Sequence, residues 1–150
     1  MSATTREPRE GEVNGVDYHF LSEEDFDRRT RRGEFVEHAT YAGFRYGTLK
    51  SELARPASAV VLEIDVQGAR QVRERLPDAV QVFIEPPSFA DLEARLAERA
   101  SDRPAEIARR LEAAREELEA ASEFDHRIVN DDLERALGEL EELVATMYGL

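Results

Sequence analysis

The sequence predicts an α/β protein built on a parallel sheet, and three observations carry that prediction. Residues 59–64 (AVVLEI) and 80–84 (VQVFI) are almost continuously apolar, as strands covered on both faces of a parallel sheet are. From there on, strand-like and helix-like periods alternate at the spacing of strand–helix–strand units. The first third reads differently: short alternating segments parted by glycine turns, the texture of a small mixed, partly antiparallel sheet.

Taken in order, residues 2–17 (SATTREPREGEVNGVD) form a loop in which Pro8 blocks helix and Arg6 and Arg9 stand three apart. Val13-Asn14-Gly15-Val16 predicts a two-residue type I′ hairpin turn, followed by a strand over 17–20. Ser22 with Asp25 predicts a capped helix start, and Gly33 its end. Residues 35–41 alternate roughly as a half-buried strand; Ala42-Gly43 turns it and residues 44–48 return. After the buried run 59–64, Gly68 leads into a helix through Leu76, and after 80–84 the pair Pro86-Pro87 stops the second strand. Ser88 with Asp91 caps a helix to about Arg99, Pro104 opens a helix to about Ala121, and residues 127–130 form a last strand. The final helix carries Leu133, Leu137, Leu140, Val144 and Met147 on one face.

Bulk properties narrow the function classes. The chain has 150 residues, one-domain length, with 41% hydrophobic and 35% charged residues. Its net charge of −13 argues against general nucleic-acid binding, which needs a basic face. There is no cysteine, hence no disulfide framework and no thiolate chemistry. No apolar run has membrane-span length, and the N-terminus lacks the pattern of a signal peptide. A cytoplasmic protein is the simplest reading. His19, His38 and His126 share no metal-ligand spacing. The nineteen arginines against one lysine, Lys50, carry no functional weight by themselves, but two guanidinium forks on an acidic chain point to a small, highly charged anion. Tyr18 and Tyr46 can add phenolic donors to such an anion.

Four stretches, SATTREPREGEVNGVDYHFLSEEDF, GEFVEHATYAGFRYGT, VLEIDVQGARQVR and IVNDDLERA, together resemble guanylate kinase, which moves the terminal phosphate of ATP to GMP. The resemblance runs in family order over essentially the whole chain. It implies a P-loop nucleoside monophosphate kinase-like parallel sheet, with a GMP-binding subdomain (residues 2–50), a core (57–95 and 122–150) and a helical lid (96–112). It assigns Arg6, Arg9, Tyr18 and Tyr46 to the GMP phosphate, and Glu37 to guanine, with Ser2, Thr48 and Glu63 as neighbours. A carboxylate accepts both adjacent guanine donors, N1–H and the 2-amino group, whereas adenine would leave it facing acceptors. Asp65, placed with Glu63 at the C-terminal end of the strand over 59–64, is assigned a Mg²⁺ ion through water. Arg95, Arg99 and Arg110 match the lid arginines that close on the ATP phosphates during transfer. Asn130 matches an asparagine near the adenine, and serves equally well as a helix cap.

The sequence also departs from the family. His38 stands where Trp or a similar apolar residue is usual, the connection after Thr48 is a few residues shorter, Ala100 replaces a lid glycine, and Arg103-Pro104 stiffens the hinge. The family opens with a strand and a glycine-rich phosphate loop, G-x-x-G-x-G-K-[ST], and this sequence begins after them. That strand is expected between those over 59–64 and 80–84, so both lose a partner, and the 150 residues alone are expected to be unstable and inactive. Met1 stands where the family commonly has valine; a start site assigned inside a longer reading frame and a truncated gene both fit. A non-catalytic module of this family, binding GMP or a phosphorylated peptide, is the alternative function.

Overall fold

Four short strands, joined by loops, a helix and one tight turn, build one mixed sheet in the first half of the chain. The computed structural model describes residues 1–98 and 104–149 and divides into two compact units, Met1–Ala79 and Val80–Leu150. In the first unit the sheet order is β2 (His19–Phe20), β1 (Ser2–Thr4), β4 (Phe44–Leu49), β3 (Phe35–Tyr41). The β1–β4 and β3–β4 pairs are antiparallel and β1–β2 is parallel, which is the mixed sheet expected. Residues 2–4, read as loop, are thus a strand.

Helix α1 (Glu23–Arg31) starts as predicted, with the Ser22 hydroxyl accepting the Asp25 N–H at 3.1 Å. It ends in a Schellman pair, Gly33 N–H to Thr30 O and Glu34 N–H to Arg29 O, with Gly33 at φ +63°. Phe26 of α1 is completely buried against Ala3, Phe35 and Leu49, stacked on Phe35 at 4.5 Å between centroids. Burying such a side chain stabilises by roughly 1.5–3 kcal/mol, so this contact fixes which face of the sheet is the core. Arg45 of β4 lies over the Phe26 ring at 4.2 Å and pairs with Asp27, tying the helix to the sheet.

Turn chemistry differs from expectation in one place. The type I′ turn joins β3 to β4 at Ala42-Gly43, with φ of +50° and +88°. At Asn14-Gly15 only Gly15 takes positive φ, and no hairpin forms. There the Asp17 carboxylate accepts the Val13 N–H and the Asn14 side chain accepts the Phe20 N–H, so side chains replace the ladder. The strand predicted over 17–20 shrinks to β2 and runs parallel to β1.

The larger correction concerns residues 59–64, which form no strand. Val60 and Val61 are 46% and 84% exposed. A strand exists only through a neighbour's hydrogen bonds, and among the described residues none runs beside this segment. The chain enters α3 (Val66–Arg75) directly, after the short helix α2 (Lys50–Leu53) and an irregular stretch.

In the second unit, β5 (Val82–Glu85) and β6 (His126–Val129) pair in parallel, so the predicted strands at 80–84 and 127–130 form with small shifts. Helix α4 (Phe89–Glu98) begins at Ser88, whose hydroxyl accepts the Asp91 N–H, and α5 (Pro104–Glu119) begins at its proline. A 3₁₀ turn (Ala120–Glu123) leads into β6, and α6 (Leu133–Tyr148) closes the chain. Among the described residues, no helix is long and apolar enough to cross a membrane.

Candidate nucleotide site

A bulge in β3 decides what the first unit can bind. Phe35 pairs with Leu49 and Glu37 with Thr48, so Val36 is an extra residue on its strand. Two residues apart would ordinarily face the same side; the bulge turns Phe35 into the core and Glu37 onto the opposite face. Strand registers then set Ser2, Thr48 and Glu37 in one row across β1, β4 and β3, with Thr4, Tyr46 and Ala39 in the next. Side chains in register on neighbouring strands share a face, about 4.8 Å apart, and successive same-face rows are about 6.8 Å apart. His38, one position on, faces the core, with its ring 5.8 Å from that of Phe35 and 6.2 Å from that of Phe26. Burial, aided by Arg45 and Arg75, lowers its pKa, so a neutral imidazole fills the place of the family's apolar residue.

Glu37 is only 3% exposed. Burial raises its pKa above the usual carboxylate value, Thr48 hydrogen bonds pull it down, the Asp65 charge raises it and the Arg75 charge lowers it. Its Oε2 rests on Gly68, where an added Cβ would approach to 2.7 Å. Asp65 proves to be the N-cap of α3, accepting the Gly68 N–H at 2.9 Å through Oδ1 and Gln67 Nε2 at 3.1 Å through Oδ2. Glu63 is exposed in the irregular stretch, so the expected shared strand face of Glu63 and Asp65 does not exist.

At the other end, Arg6 is gripped by its own loop. Nη1 and Nη2 donate to the two oxygens of Glu12 at 3.0 and 2.9 Å, and Nη1 also donates to the Glu7 carbonyl at 2.7 Å. Of a guanidinium's five N–H donors, those contacts use three; the Nε–H and one Nη2–H form a side-on fork on the edge away from Glu12, and the Tyr46 side chain is a further hydrogen-bond partner of this guanidinium. The pair with Glu12 raises the Arg6 pKa, and Tyr46 adds to it. The guanidinium lies 5.4 Å from the Tyr18 ring centre, and Tyr18 meets Tyr46 edge-on at 6.5 Å. Arg6, Tyr18 and Tyr46 therefore come together, whereas the Arg9 side chain is exposed and its backbone N–H donates to Glu12 at 2.6 Å. The sequence reading missed Glu12; its signal was an acid three residues after Arg9, in the same loop.

Of the residues assigned to ATP, Arg95 of α4 donates from Nη2 to the Asn130 carbonyl at 3.0 Å, and the Asn130 N–H donates to Glu85 O at 2.7 Å. Asn130 does not cap α6; Asp132 does, accepting the Arg135 N–H at 2.9 Å. Arg110 is half-buried on α5, and Arg99 lies outside the described residues. Among the described residues, no three acidic or histidine side chains cluster as a metal site.

Comparison with known proteins gives one consistent family. The sequence model described as guanylate kinase matches residues 1–147. Guanylate kinases of Frankia casuarinae and Neisseria gonorrhoeae are each 51% identical to this chain, over 99% and 96% of it and 81% and 72% of their own lengths. That of Nostoc sp. is 49% identical, over 94% of this chain and 72% of its own. The crystal structure of guanylate kinase from Anaplasma phagocytophilum superposes with a TM-score of 0.82 at 32% identity, covering 98% of this chain and 73% of that one.

Proposed function

Because the chain belongs to the guanylate kinase family, we propose that the sheet face of the first unit is a GMP site serving phosphoryl transfer from ATP, with GDP and ADP as products. The observation that carries this reading is Glu37: a carboxylate 3% exposed, in one row with Ser2 and Thr48, whose burial is relieved by a ligand presenting two adjacent N–H donors. Guanine is such a ligand. The phosphate goes to the other end, beyond the row of Tyr46, where the Arg6 guanidinium and the Tyr18 and Tyr46 hydroxyls supply donors, with Arg9 at the rim. A phosphorylated peptide would satisfy Arg6 but bring Glu37 no donors beyond the Thr48 hydrogen bonds it already has, which ranks it below GMP.

Transfer itself is positioning and charge stabilisation at the ATP phosphates. Arg95, Arg99 and Arg110 are the lid arginines in this reading, and Asn130 lies toward the adenine. Mg²⁺ keeps most of its waters and binds phosphates plus one or two carboxylates, a demand that Asp65 meets through water. These 150 residues contain no G-x-x-G-x-G-K run to cradle the phosphates, and Lys50 follows no glycine loop. The polypeptide 1–150 alone therefore binds GMP and does not phosphorylate it.

Calorimetry on this polypeptide tests both statements. GMP binds at least about tenfold more tightly than AMP. Arg6→Lys, which keeps the charge and loses the fork, weakens GMP about 10–100-fold. Adding ATP and Mg²⁺ yields no GDP. Phosphopeptide binding with indifference to GMP overturns the site, and GDP formation at kinase rates overturns the inactivity.

A further inference from the structure

Helix α3 meets the sheet along the edge of β3 that no strand covers. Strand β3 is last in the sheet order, so the backbone groups of every second residue point away from β4. Three side chains of α3, four residues apart, reach them in turn. Gln67 Nε2 donates to the Thr40 carbonyl at 3.2 Å. Gln71 makes a two-way bond, Oε1 accepting the His38 N–H at 3.2 Å and Nε2 donating to the His38 carbonyl at 2.7 Å. Arg75 Nη1 donates to the Val36 carbonyl.

The spacing has a geometric basis. Four helical residues advance about 6.0 Å, and two strand residues about 6.8 Å. A helix laid antiparallel to the strand therefore meets residues 40, 38 and 36 in step with 67, 71 and 75. The stripe turns about 40° per step, and the longer arginine sits at the end. The amide of Gln71 imitates a neighbouring strand, satisfying both backbone groups of one residue. The same helix holds Gly68, between the first two of these bonds, against the Glu37 carboxylate, and its N-cap Asp65 places a second charge near it.

We propose that Gln67, Gln71 and Arg75 form a rail that fixes α3 against β3, and that Gln71 is thereby a positioning residue for guanine recognition, touching no ligand itself. The inference rests on the base-site reading of Glu37 above and adds to it how the carboxylate is held in register. Arg75 has a second part in it, since its charge favours the ionised form of Glu37. The rail also closes an open strand edge against added strands.

The test compares the 150-residue chain with Gln71→Met, which keeps length and loses both bonds to His38 together with the one from Nε2 to the Gln67 carbonyl. Three quantities are measured: amide exchange at His38, and calorimetric affinities for GMP and for inosine monophosphate, which lacks the 2-amino group. The inference expects His38 exchange about tenfold faster, GMP about fivefold weaker, and the preference for GMP over inosine monophosphate reduced. Affinity for ribose 5-phosphate, a probe of the Arg6 end alone, stays unchanged, which a general loss of structure would not allow. Faster exchange with unaltered base preference makes the rail purely structural and overturns the inference. If the unsubstituted chain fails to bind GMP, the base-site reading fails and takes the inference with it; that outcome is distinct from a failure of Gln71→Met alone. Should Gln71→Met not fold, Gln67→Met, which removes only the Thr40 and Asp65 bonds, carries the same test with about a threefold loss expected for GMP and none for ribose 5-phosphate; no loss for GMP overturns the inference.

Discussion

Adding one methyl group at Gly68 is the sharpest probe of the base site. An alanine Cβ there would stand 2.7 Å from Glu37 Oε2, 3.3 Å from its Cδ and 3.2 Å from Ile64 Cβ. Ordinary contact begins at 3.4 Å, so the carboxylate must retreat by about 0.7 Å. The helix itself gains about 1 kcal/mol from alanine, while the crowding costs about 1–3 kcal/mol. The net change in stability is small enough for the variant to fold. The loss falls on recognition: a carboxylate moved this far gives up one charge-assisted bond to guanine, about 1.5–3 kcal/mol, or about 10–100-fold in GMP affinity. Calorimetry with GMP, inosine monophosphate and ribose 5-phosphate separates the ends of the site. Gly68→Ala weakens GMP and narrows its advantage over inosine monophosphate, leaving ribose 5-phosphate alone. If Gly68→Ala binds GMP as tightly as the unsubstituted chain, the carboxylate resting on Gly68 is not what reads the base.

Two further substitutions probe the same geometry. Glu37→Gln keeps the shape and puts an amide donor against guanine's donors, lowering GMP affinity about 100-fold. With guanosine as ligand, which has no phosphate to titrate, binding by the unsubstituted chain weakens as pH falls through the raised Glu37 pKa, and Glu37→Gln abolishes that dependence. The stability linkage has the opposite sense: the folded state holds this proton more tightly than the unfolded chain, so stability is lost as pH rises from 4.5 through the raised value. Urea unfolding across that range shows the loss in the unsubstituted chain and not in Glu37→Gln. Gly47→Ala differs in kind, because its Cβ would lie 2.8 Å from the Glu37 carbonyl oxygen, 2.9 Å from the Phe35 ring and 3.0 Å from His38 Cβ. Backbone cannot step aside as a carboxylate can, so urea unfolding records a loss of about 3 kcal/mol; unchanged stability would mean that β3 and β4 are looser than drawn.

How much of this was legible in the sequence depends on whether a signal is local. Ser22, Gly33, Ser88 and Pro104 announce helix ends through their own backbone chemistry, and the ends lie there. Residues 35–41 alternate only roughly, and the irregularity was the bulge at Val36, which no spacing rule identifies before the partner strand is known. The run 59–64 misled because apolar continuity reports how a strand would be covered, not whether a neighbour offers hydrogen bonds. Asn14-Gly15 misled for a related reason: nearby Asp17 and Asn14 side chains compete for the groups a hairpin would pair. The rail along β3 was present as Gln67, Gln71 and Arg75, but the spacing has no meaning until α3 is known to lie antiparallel to that edge.

The chain's acidity bears on the site through two carboxylates treated in opposite ways. Glu12 is held ionised first by the Arg6 guanidinium and then by the Arg9 backbone N–H, and its pKa falls. Glu37 is buried among few donors, and its pKa rises. The first satisfies its charge within the protein, and in doing so turns a flexible arginine into a fixed fork with one edge left over. The second leaves its charge for the ligand to satisfy. Environments that push like groups apart in this way divide labour between them: one carboxylate builds the phosphate end by orienting a cation, and the other reads the base by remaining under-solvated. A nucleotide with the wrong base still meets the fork but leaves Glu37 unrelieved. The Arg6 end therefore adds affinity for any nucleotide phosphate, whereas the Glu37 end adds affinity for guanine alone and so supplies the selectivity, and substitutions at the two ends act on different ligands.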